Sequence, residues 1–211
     1  MKRAQSIEQK EERRKAILNA ARVALDKQDY RDIRLQDLAD SMGLVKGSFY
    51  RYFPTKQDLF MALYVEELDE WLAAWSTAFI SVKFDVKKLE NIILDSLDVR
   101  SRLIRLIGSF PGDLEPELSD EGLKNYKRFI KQYMFRSTEA LGPLVPGLGA
   151  DASSFLISLF VLVQGTAPLA FPVTRVAAML EKEKEFEVFR FEFREIFAPL
   201  LNAVCRAYLG D

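Results

Sequence analysis

Apolar residues recur at helical spacing along most of this chain. A narrow apolar stripe, with polar residues around it, runs from about Ser6 to Lys27. Two shorter stripes follow at residues 35–42 and 45–53, and Gly43 lies between them. Glycine is preferred just beyond a helix end, where φ is positive. The pattern therefore predicts a first helix and then two short helices joined by a tight turn.

Longer helices are predicted after Pro54. Thr55 and Asp58 are spaced for a capping box, in which a hydroxyl and a carboxylate satisfy free backbone N–H groups at a helix start. The helix that follows has one apolar face, formed by Leu68, Trp71, Leu72, Trp75 and Phe79. Further helices are predicted over residues 86–107, 121–140, 151–166 and 189–208, with a loop at residues 109–119.

The predicted fold class is all-α, in two parts that meet near Pro54. Residues 1–54 form an N-terminal three-helix domain with a helix-turn-helix at about residues 35–53. Residues 55–211 form a larger C-terminal helical domain. We see no internal repeat and no alternation of strands and helices.

The second short helix, residues 45–52, has two distinct faces when it is placed on a wheel at about 100° per residue. Val45, Phe49 and Phe53 are predicted to face the core. Lys46 lies at the flank, and the outward face holds Gly47, Ser48, Tyr50 and Arg51. A helix-turn-helix presents such a second helix to the major groove of DNA.

Three residues on or beside this face are unfavourable for the helices alone. A glycine such as Gly47 costs about 1 kcal/mol relative to alanine inside a helix. Lys46 and Lys56 lie at helix N-termini, where a positive charge opposes the helix dipole. A nearby DNA backbone explains all three, because it brings phosphates and requires close approach.

The charge is distributed unevenly. Residues 1–56 carry 13 Lys and Arg against 8 Asp and Glu, whereas residues 57–211 carry 17 against 23. This asymmetry favours a polyanionic partner at the N-terminal end. On charge alone, the alternative is a first helix that is merely solvated.

The run IRLQDLADSMGLVKGSFYRYFPTKQDLF resembles the DNA-binding segment of the TetR family of bacterial repressors. The matching positions are Leu38-Ala39, Met42-Gly43, Lys46-Gly47-Ser48, Tyr50, Tyr52-Phe53 and Thr55-Lys56. The resemblance is strong over about residues 10–60, and beyond them it extends only to length, helicity and order. Arg34 and Val45 depart from the family, which usually has a hydroxyl residue at each of these helix starts.

The resemblance implies a regulator that binds double-stranded operator DNA as a homodimer. It implies phosphate contacts from Tyr50 and Lys56, and groove contacts from Gln36, Lys46, Gly47, Ser48 and Arg51. A small molecule in the C-terminal domain would move the recognition helices apart. We therefore expect a repressor that its ligand releases from the operator.

Two C-terminal segments are too apolar for exposed helices, which supports a dimer. The predicted interface consists of Phe155, Leu159, Phe189, Phe193, Phe197, Leu200, Leu201 and Val204. The alternative is that these residues complete the core of a monomer.

Aromatic residues of the C-terminal part suggest a pocket for a largely apolar or aromatic effector. The candidates are Trp71, Trp75, Phe79, Phe110, Tyr126, Phe129, Tyr133 and Phe160, with Gln164 as an isolated polar group. The alternative is ordinary core packing, and Gln164 then satisfies a neighbouring backbone group.

The composition argues against an enzyme. The chain has no histidine, which excludes a histidine-based triad and argues against a metal effector that needs imidazole ligands. The carboxylates of Glu66, Glu67, Asp69 and Glu70 are interpreted as a solvated helix face, and no cofactor is expected. The rival function is a helical adaptor whose basic N-terminal region binds an acidic protein.

The sequence also predicts a cytoplasmic protein. The N-terminus is charged and lacks an apolar signal region, and we find no run of about 20 apolar residues that would span a membrane. Cys205 is the single cysteine, so it forms no internal disulfide, which fits a reducing compartment.

Overall fold

The computed structural model describes residues 2–79 and 84–210, without the side chains of residues 2–7, Lys46, Ser76 and Phe79. This part of the chain is helical and contains no strand, which confirms the all-α fold. The helices are α1 Lys2–Lys27, α2 Leu35–Ser41, α3 Lys46–Phe49, α4 Lys56–Phe79, α5 Val86–Asp98, α6 Ser101–Ser109, α7 Asp120–Leu144, α8 Ala152–Ala170, α9 Thr174–Lys182 and α10 Phe193–Leu209.

The turn between α2 and α3 has the predicted form. Gly43 has a φ of 64°, and the N–H of Leu44 donates to the carbonyl oxygen of Ala39 over 2.8 Å. Arg34 and Val45 occupy the N-cap positions of α2 and α3, and neither side chain makes a capping hydrogen bond. Packing rather than capping therefore holds these two short helices.

The start of α4 is the predicted capping box. Thr55 Oγ1 accepts from the N–H of Asp58 over 2.9 Å, while the backbone N–H of Thr55 donates to Asp58 Oδ2 over 3.1 Å. The Thr55 hydroxyl also donates to the same carboxylate oxygen over 2.9 Å. These reciprocal bonds satisfy free N–H groups at the helix start.

The predicted single helix over residues 86–107 is wrong, because the chain turns between α5 and α6. The backbone of Arg100 leaves the helical region, with φ −128° and ψ 49°. Its guanidinium donates to the carbonyl oxygen of Ser96 over 2.6 Å. This bond satisfies an acceptor that the end of α5 leaves free, and it stabilises the break.

The structure also differs from the prediction after Ser109 and before the final helix. The expected loop after Ser109 forms a π-helical turn at Phe110–Leu114 and a 3₁₀ turn at Glu115–Glu117. The first tolerates Pro111 because the first N–H groups of a helix lack internal partners. The final helix begins at Phe193, and Phe189 instead ends a 3₁₀ segment.

Helix α8 lies at the centre of the C-terminal part, where it packs against α6 and α10. The segment Gly149–Ala170 has a mean hydropathy of 1.6 and is, by length and composition alone, long and apolar enough to cross a membrane. A single helix of this kind does not establish a membrane span, because a buried core helix has the same length and composition. Burial between two neighbouring helices explains an apolar face on α8, as it does in the core of other helical proteins.

Candidate DNA-binding surface and effector region

The helix-turn-helix is anchored by Ala39, Phe49 and Phe53, which are all buried. The prediction that Val45 joins this core is wrong, since its side chain is 73% exposed. Val45 has an extended backbone as the N-cap of α3, with φ −75° and ψ 140°. A helical wheel does not apply to a residue outside the helix, so the side chain of Val45 leaves the buried face.

The outward side of α3 is open. Tyr50 and Arg51 are exposed and Ser48 is half-buried. A Cβ atom built on Gly47 meets no atom of the described packing within 4 Å, so that packing gives no reason for glycine there. Gln36 is exposed on α2 and donates to Asp40 Oδ1 over 2.7 Å. Lys46 begins α3, but its side chain lies outside the described part.

The side chain of Lys56 is half-buried, and its ammonium group contacts other residues of the protein. Its Nζ donates to the carbonyl oxygen of Arg31 over 3.1 Å and lies 5.3 Å from the ring centroid of Tyr30. Burial lowers the pKa of Lys56, and the nearby carboxylates of Asp29, Asp32 and Glu117 oppose that shift. The ammonium group has three N–H donors, so Nζ can contact a phosphate while it keeps its bond to Arg31.

A buried carboxylate joins the N-terminal helices to the rest of the protein. Glu67 of α4 is 2% exposed, and its Oε1 accepts from Arg22 Nε of α1 over 3.2 Å and from Arg102 Nε of α6 over 3.1 Å. Arg102 also donates to Asp26 of α1 over 2.7 Å. The interpretation of residues 66–70 as a solvated face is thus wrong for Glu67. Its partners are distant in sequence, so helical spacing gives no signal for them.

A second junction connects the starts of α4 and α7. Asp58 is buried, and its Oδ1 accepts from the Ser119 hydroxyl over 3.0 Å, while Oδ2 serves the capping box of α4. Ser119 is the N-cap of α7, and its Oγ accepts from the N–H of Gly122 over 3.0 Å. One carboxylate thereby bridges two helix N-termini, where negative charge is favourable.

The aromatic side chains predicted to bind the effector pack against one another in this structure. Trp71, Trp75, Phe110, Tyr126 and Tyr133 are buried, whereas Phe129, Phe160 and Gln164 are half-buried. The side chain of Phe79 lies outside the described part.

The rings make two groups. Trp71 contacts Trp75 and Phe160 edge-on, with centroids 4.6 and 6.2 Å apart, and Phe160 contacts Tyr133. In the second group, the ring centroids of Phe110 and Tyr126 are 4.3 Å apart. Both tryptophan N–H groups donate to Ser96 Oγ, so their polar atoms are satisfied. A ligand at this place would have to displace rings that now contact each other.

An apolar groove that the sequence analysis missed lies at the end of α8. It has a volume of about 350 Å³, and its lining is formed by proline, aliphatic and aromatic side chains, among them Leu169, Met179, Phe186 and Phe189. The closely spaced phenylalanines of residues 186–191 are the sequence signal for this groove, but the helix predicted over residues 189–208 assigned Phe189 to a helix face.

The predicted dimer residues divide into two sets. Phe155, Leu159, Phe193, Phe197 and Leu201 are buried within the chain, so they do not line a surface. Phe189 and Leu200 are exposed and Val204 is half-buried. Exposed apolar side chains of α8 that the prediction omitted are Ile157 and Val161, one helical turn apart. Apolar spacing identified the helices but not which of their faces the same chain covers.

The described residues include no group of three or more His, Cys, Asp or Glu side chains arranged to hold a metal ion. Cys205 is buried in α10, and burial raises the pKa of its thiol to about 12.

The fold and the exposed α3 define the class of protein. It is a helix-turn-helix regulator with a small N-terminal head on a larger helical body. Residues 17–63 match the family model described as bacterial regulatory proteins of the tetR family, and residues 65–207 match that of the tetracyclin repressor-like C-terminal domain. The chain belongs to the TetR family of transcriptional regulators.

Two relatives match by sequence over limited regions. The transcriptional regulator RutR of Escherichia coli K12 is 35% identical over 72 residues, which are 34% of this chain and 32% of RutR. The repressor KstR of Mycobacterium tuberculosis is 33% identical over 91 residues, 40% of this chain and 41% of KstR. The match thus spans about a third to two fifths of the length of these relatives.

Solved structures share the fold over nearly the whole chain. FadR from Bacillus subtilis, solved in complex with stearoyl-CoA, has a TM-score of 0.55 at 15% identity, and the match covers 93% of this chain and 98% of FadR. A TetR regulator from Legionella pneumophila has a TM-score of 0.54 at 19% identity, covering 89% and 94%.

Proposed function

We propose that this protein is a transcriptional repressor that binds operator DNA through α2 and α3 and is released by a small apolar or aromatic molecule. The observation that carries the DNA-binding part is the open face of α3, where Gly47 has no packing reason to be glycine. Gln36, Lys46, Gly47 and Ser48 are the proposed groove contacts. Tyr50 and Lys56 are the proposed phosphate contacts.

The active form is proposed to be a homodimer. A single helix-turn-helix reads a short site, whereas two related by a two-fold axis read two half-sites about 34 Å apart. Ile157 and Val161 on α8 and Leu200 on α10 are exposed apolar residues, and we infer that they contact the same helices of a second copy. Ile157→Glu is expected to give monomers in analytical ultracentrifugation. Val99→Glu, which changes an exposed valine on α5's C-terminal side, is the matched control and is expected to leave dimers.

Effector binding is proposed in the C-terminal part, beside the rings of Trp71, Trp75 and Phe160. A ligand that enters here separates rings that now contact one another. An apolar or aromatic ligand is favoured because it replaces the apolar contacts that the rings then give up. Helix α4 carries both tryptophans and Lys56, so it connects this region to the DNA-binding head. Displacement of the rings would then move the start of α4.

The DNA-binding proposal is tested by fluorescence anisotropy with duplex DNA from the regions flanking the coding sequence. We expect one fragment to bind at least about 1,000-fold more tightly than a shuffled duplex of the same composition, as specific regulators do. Equal affinity for both duplexes, or no binding, would contradict the proposal. Binding to an acidic protein without DNA binding would favour the adaptor instead.

The effector proposal is tested with stearoyl-CoA, whose acyl chain supplies the apolar part of the probe, by tryptophan fluorescence and operator affinity in parallel. We expect an effector to quench Trp71 or Trp75 and to weaken operator binding by about 5–150-fold. Trp75→Ala should reduce probe affinity and spare DNA binding without the probe. Quenching with unchanged operator affinity would contradict the coupling through α4.

A further inference from the structure

A solvent-facing cleft of about 860 Å³ lies between α1 and the residues that follow α3. Its walls carry three cations, Lys10 and Arg13 of α1 and Arg51 after α3, and one carboxylate, Glu12. Gln9, Arg13 and Ala16 have the spacing of a single helix face, so one side of α1 forms a continuous wall. The groove contacts proposed above use none of these α1 residues.

The three cations of the cleft have no ion-pair partner among the side chains that the structure describes. They are also exposed. Arg22, three turns further along the same helix, instead binds Glu66 and Glu67 over 3.0 and 3.2 Å. The two ends of α1 therefore differ, since Arg22 contributes to internal ion pairs, whereas Lys10 and Arg13 form none with the described side chains.

The cleft is held in place by the packing of α1 on the end of the helix-turn-helix. The Arg14 guanidinium lies 5.2 Å from the ring centroid of Phe53, which is buried. Because Arg51 and Tyr52 directly precede Phe53, this contact fixes their position relative to α1. An anion entering the cleft thus meets a wall that is already formed.

We propose that this cleft holds phosphates of the DNA backbone beside the groove that α3 enters. The inference rests on the proposed DNA-binding function and adds α1 as a second element of the interface. Three cations against one carboxylate favour a polyanion. The exposed Tyr50, a proposed phosphate contact, directly precedes the cleft residue Arg51 in the sequence. The positive charge of residues 1–56, which α2 and α3 alone do not explain, then has a partner. Arg51 becomes a backbone contact, where the sequence had suggested a groove contact.

The test is the salt dependence of DNA binding by the full-length protein, measured by anisotropy with the fragment of highest affinity. Each phosphate contact contributes about 0.9 to the slope of log affinity against log salt. Lys10→Ala is expected to flatten the slope by up to about 2 in a dimer, and Lys10→Ala with Arg13→Ala by up to about 4. The ratio of affinities between that fragment and a shuffled duplex should stay the same, because backbone contacts carry no sequence information.

Lys15→Ala is the matched control, because Lys15 is an exposed cation of α1 outside the cleft. We expect its slope to stay within about 0.5 of wild type. An unchanged slope for the double variant, or equal flattening by Lys15→Ala, would overturn the inference while the proposed function stands. Absence of DNA binding by the wild-type chain would overturn both.

Discussion

Arg102 Nε donates to Glu67 Oε1 over 3.1 Å, and this bond connects α6 of the C-terminal body to the buried face of α4. Arg22 Nε of α1 donates to the same oxygen. A buried carboxylate is favourable only while it keeps such partners, because its desolvation must be offset. The shared oxygen thus connects α1, α4 and α6 at one point, and the bond from Arg102 to Asp26 adds a second link between α6 and α1.

Glu67→Gln should destabilise the protein through this junction. Losing the charge of a buried, paired carboxylate costs about 3–5 kcal/mol, and the partial exposure of Arg22 and Arg102 puts the expected loss nearer about 2–3 kcal/mol. Urea unfolding measures it. Glu66→Gln is the matched control, since Glu66 also binds Arg22 but is far more exposed, and it should cost less than about 1 kcal/mol. Equal losses for the two variants would contradict the special role of Glu67.

Gly122→Ala should disrupt the contact between α4 and α7. A Cβ atom at Gly122 would lie 1.9 Å from Asp58 Oδ1, so the carboxylate would have to leave the two helix starts that it bridges. We expect a loss of about 1–3 kcal/mol in the free energy of unfolding. In the same helix, Gly142 has no atom within 4 Å of its Cβ position, and Gly142→Ala should be neutral or stabilising. An unchanged free energy of unfolding in Gly122→Ala would show that the position of the Asp58 carboxylate between the two helix starts does not contribute to stability.

Gly47→Ala should separate stability from function. A Cβ atom at this position meets no other described residue within 4 Å, so helix propensity predicts a gain of up to about 1 kcal/mol in the free energy of unfolding. If the backbone of α3 approaches DNA closely, the same methyl group should weaken operator binding by at least about tenfold, or about 1.4 kcal/mol. A variant that is more stable and binds DNA as well as wild type would remove Gly47 from the interface.

Because the thiol of Cys205 is buried, we predict that the free energy of unfolding falls at alkaline pH. Burial raises the pKa of its thiol in the folded state to about 12, from an ordinary value of 9.0, so the folded protein retains a proton that the unfolded chain releases. Stability from this group is thus complete below pH 9 and falls as pH rises, with a limiting slope of about 1.4 kcal/mol per pH unit. Urea unfolding between pH 9 and pH 10 measures the slope. Cys205→Ala should flatten it, and an identical slope in the variant would assign the effect to other groups.

Local features of the fold were predictable because their partners are close in sequence. The Thr55–Asp58 capping box and the positive φ of Gly43 depend on residues within a turn of each other. The contacts of Glu67 with Arg22 and Arg102 join residues 45 and 35 positions apart, and no helical period encodes them. Likewise, the pattern marked Phe197 as apolar, but only the packed structure shows that its own chain buries it.

Hydroxyl-radical footprinting of the flanking DNA fragment shows whether two copies of the α2–α3 unit read an operator. We predict two protected half-sites related by two-fold symmetry, with centres about 34 Å or one helical turn apart. Protection should be lost in both half-sites when Ile157→Glu prevents dimers from forming. A single unsymmetrical footprint that survives Ile157→Glu, or a fragment without protection at saturating protein, would contradict the account.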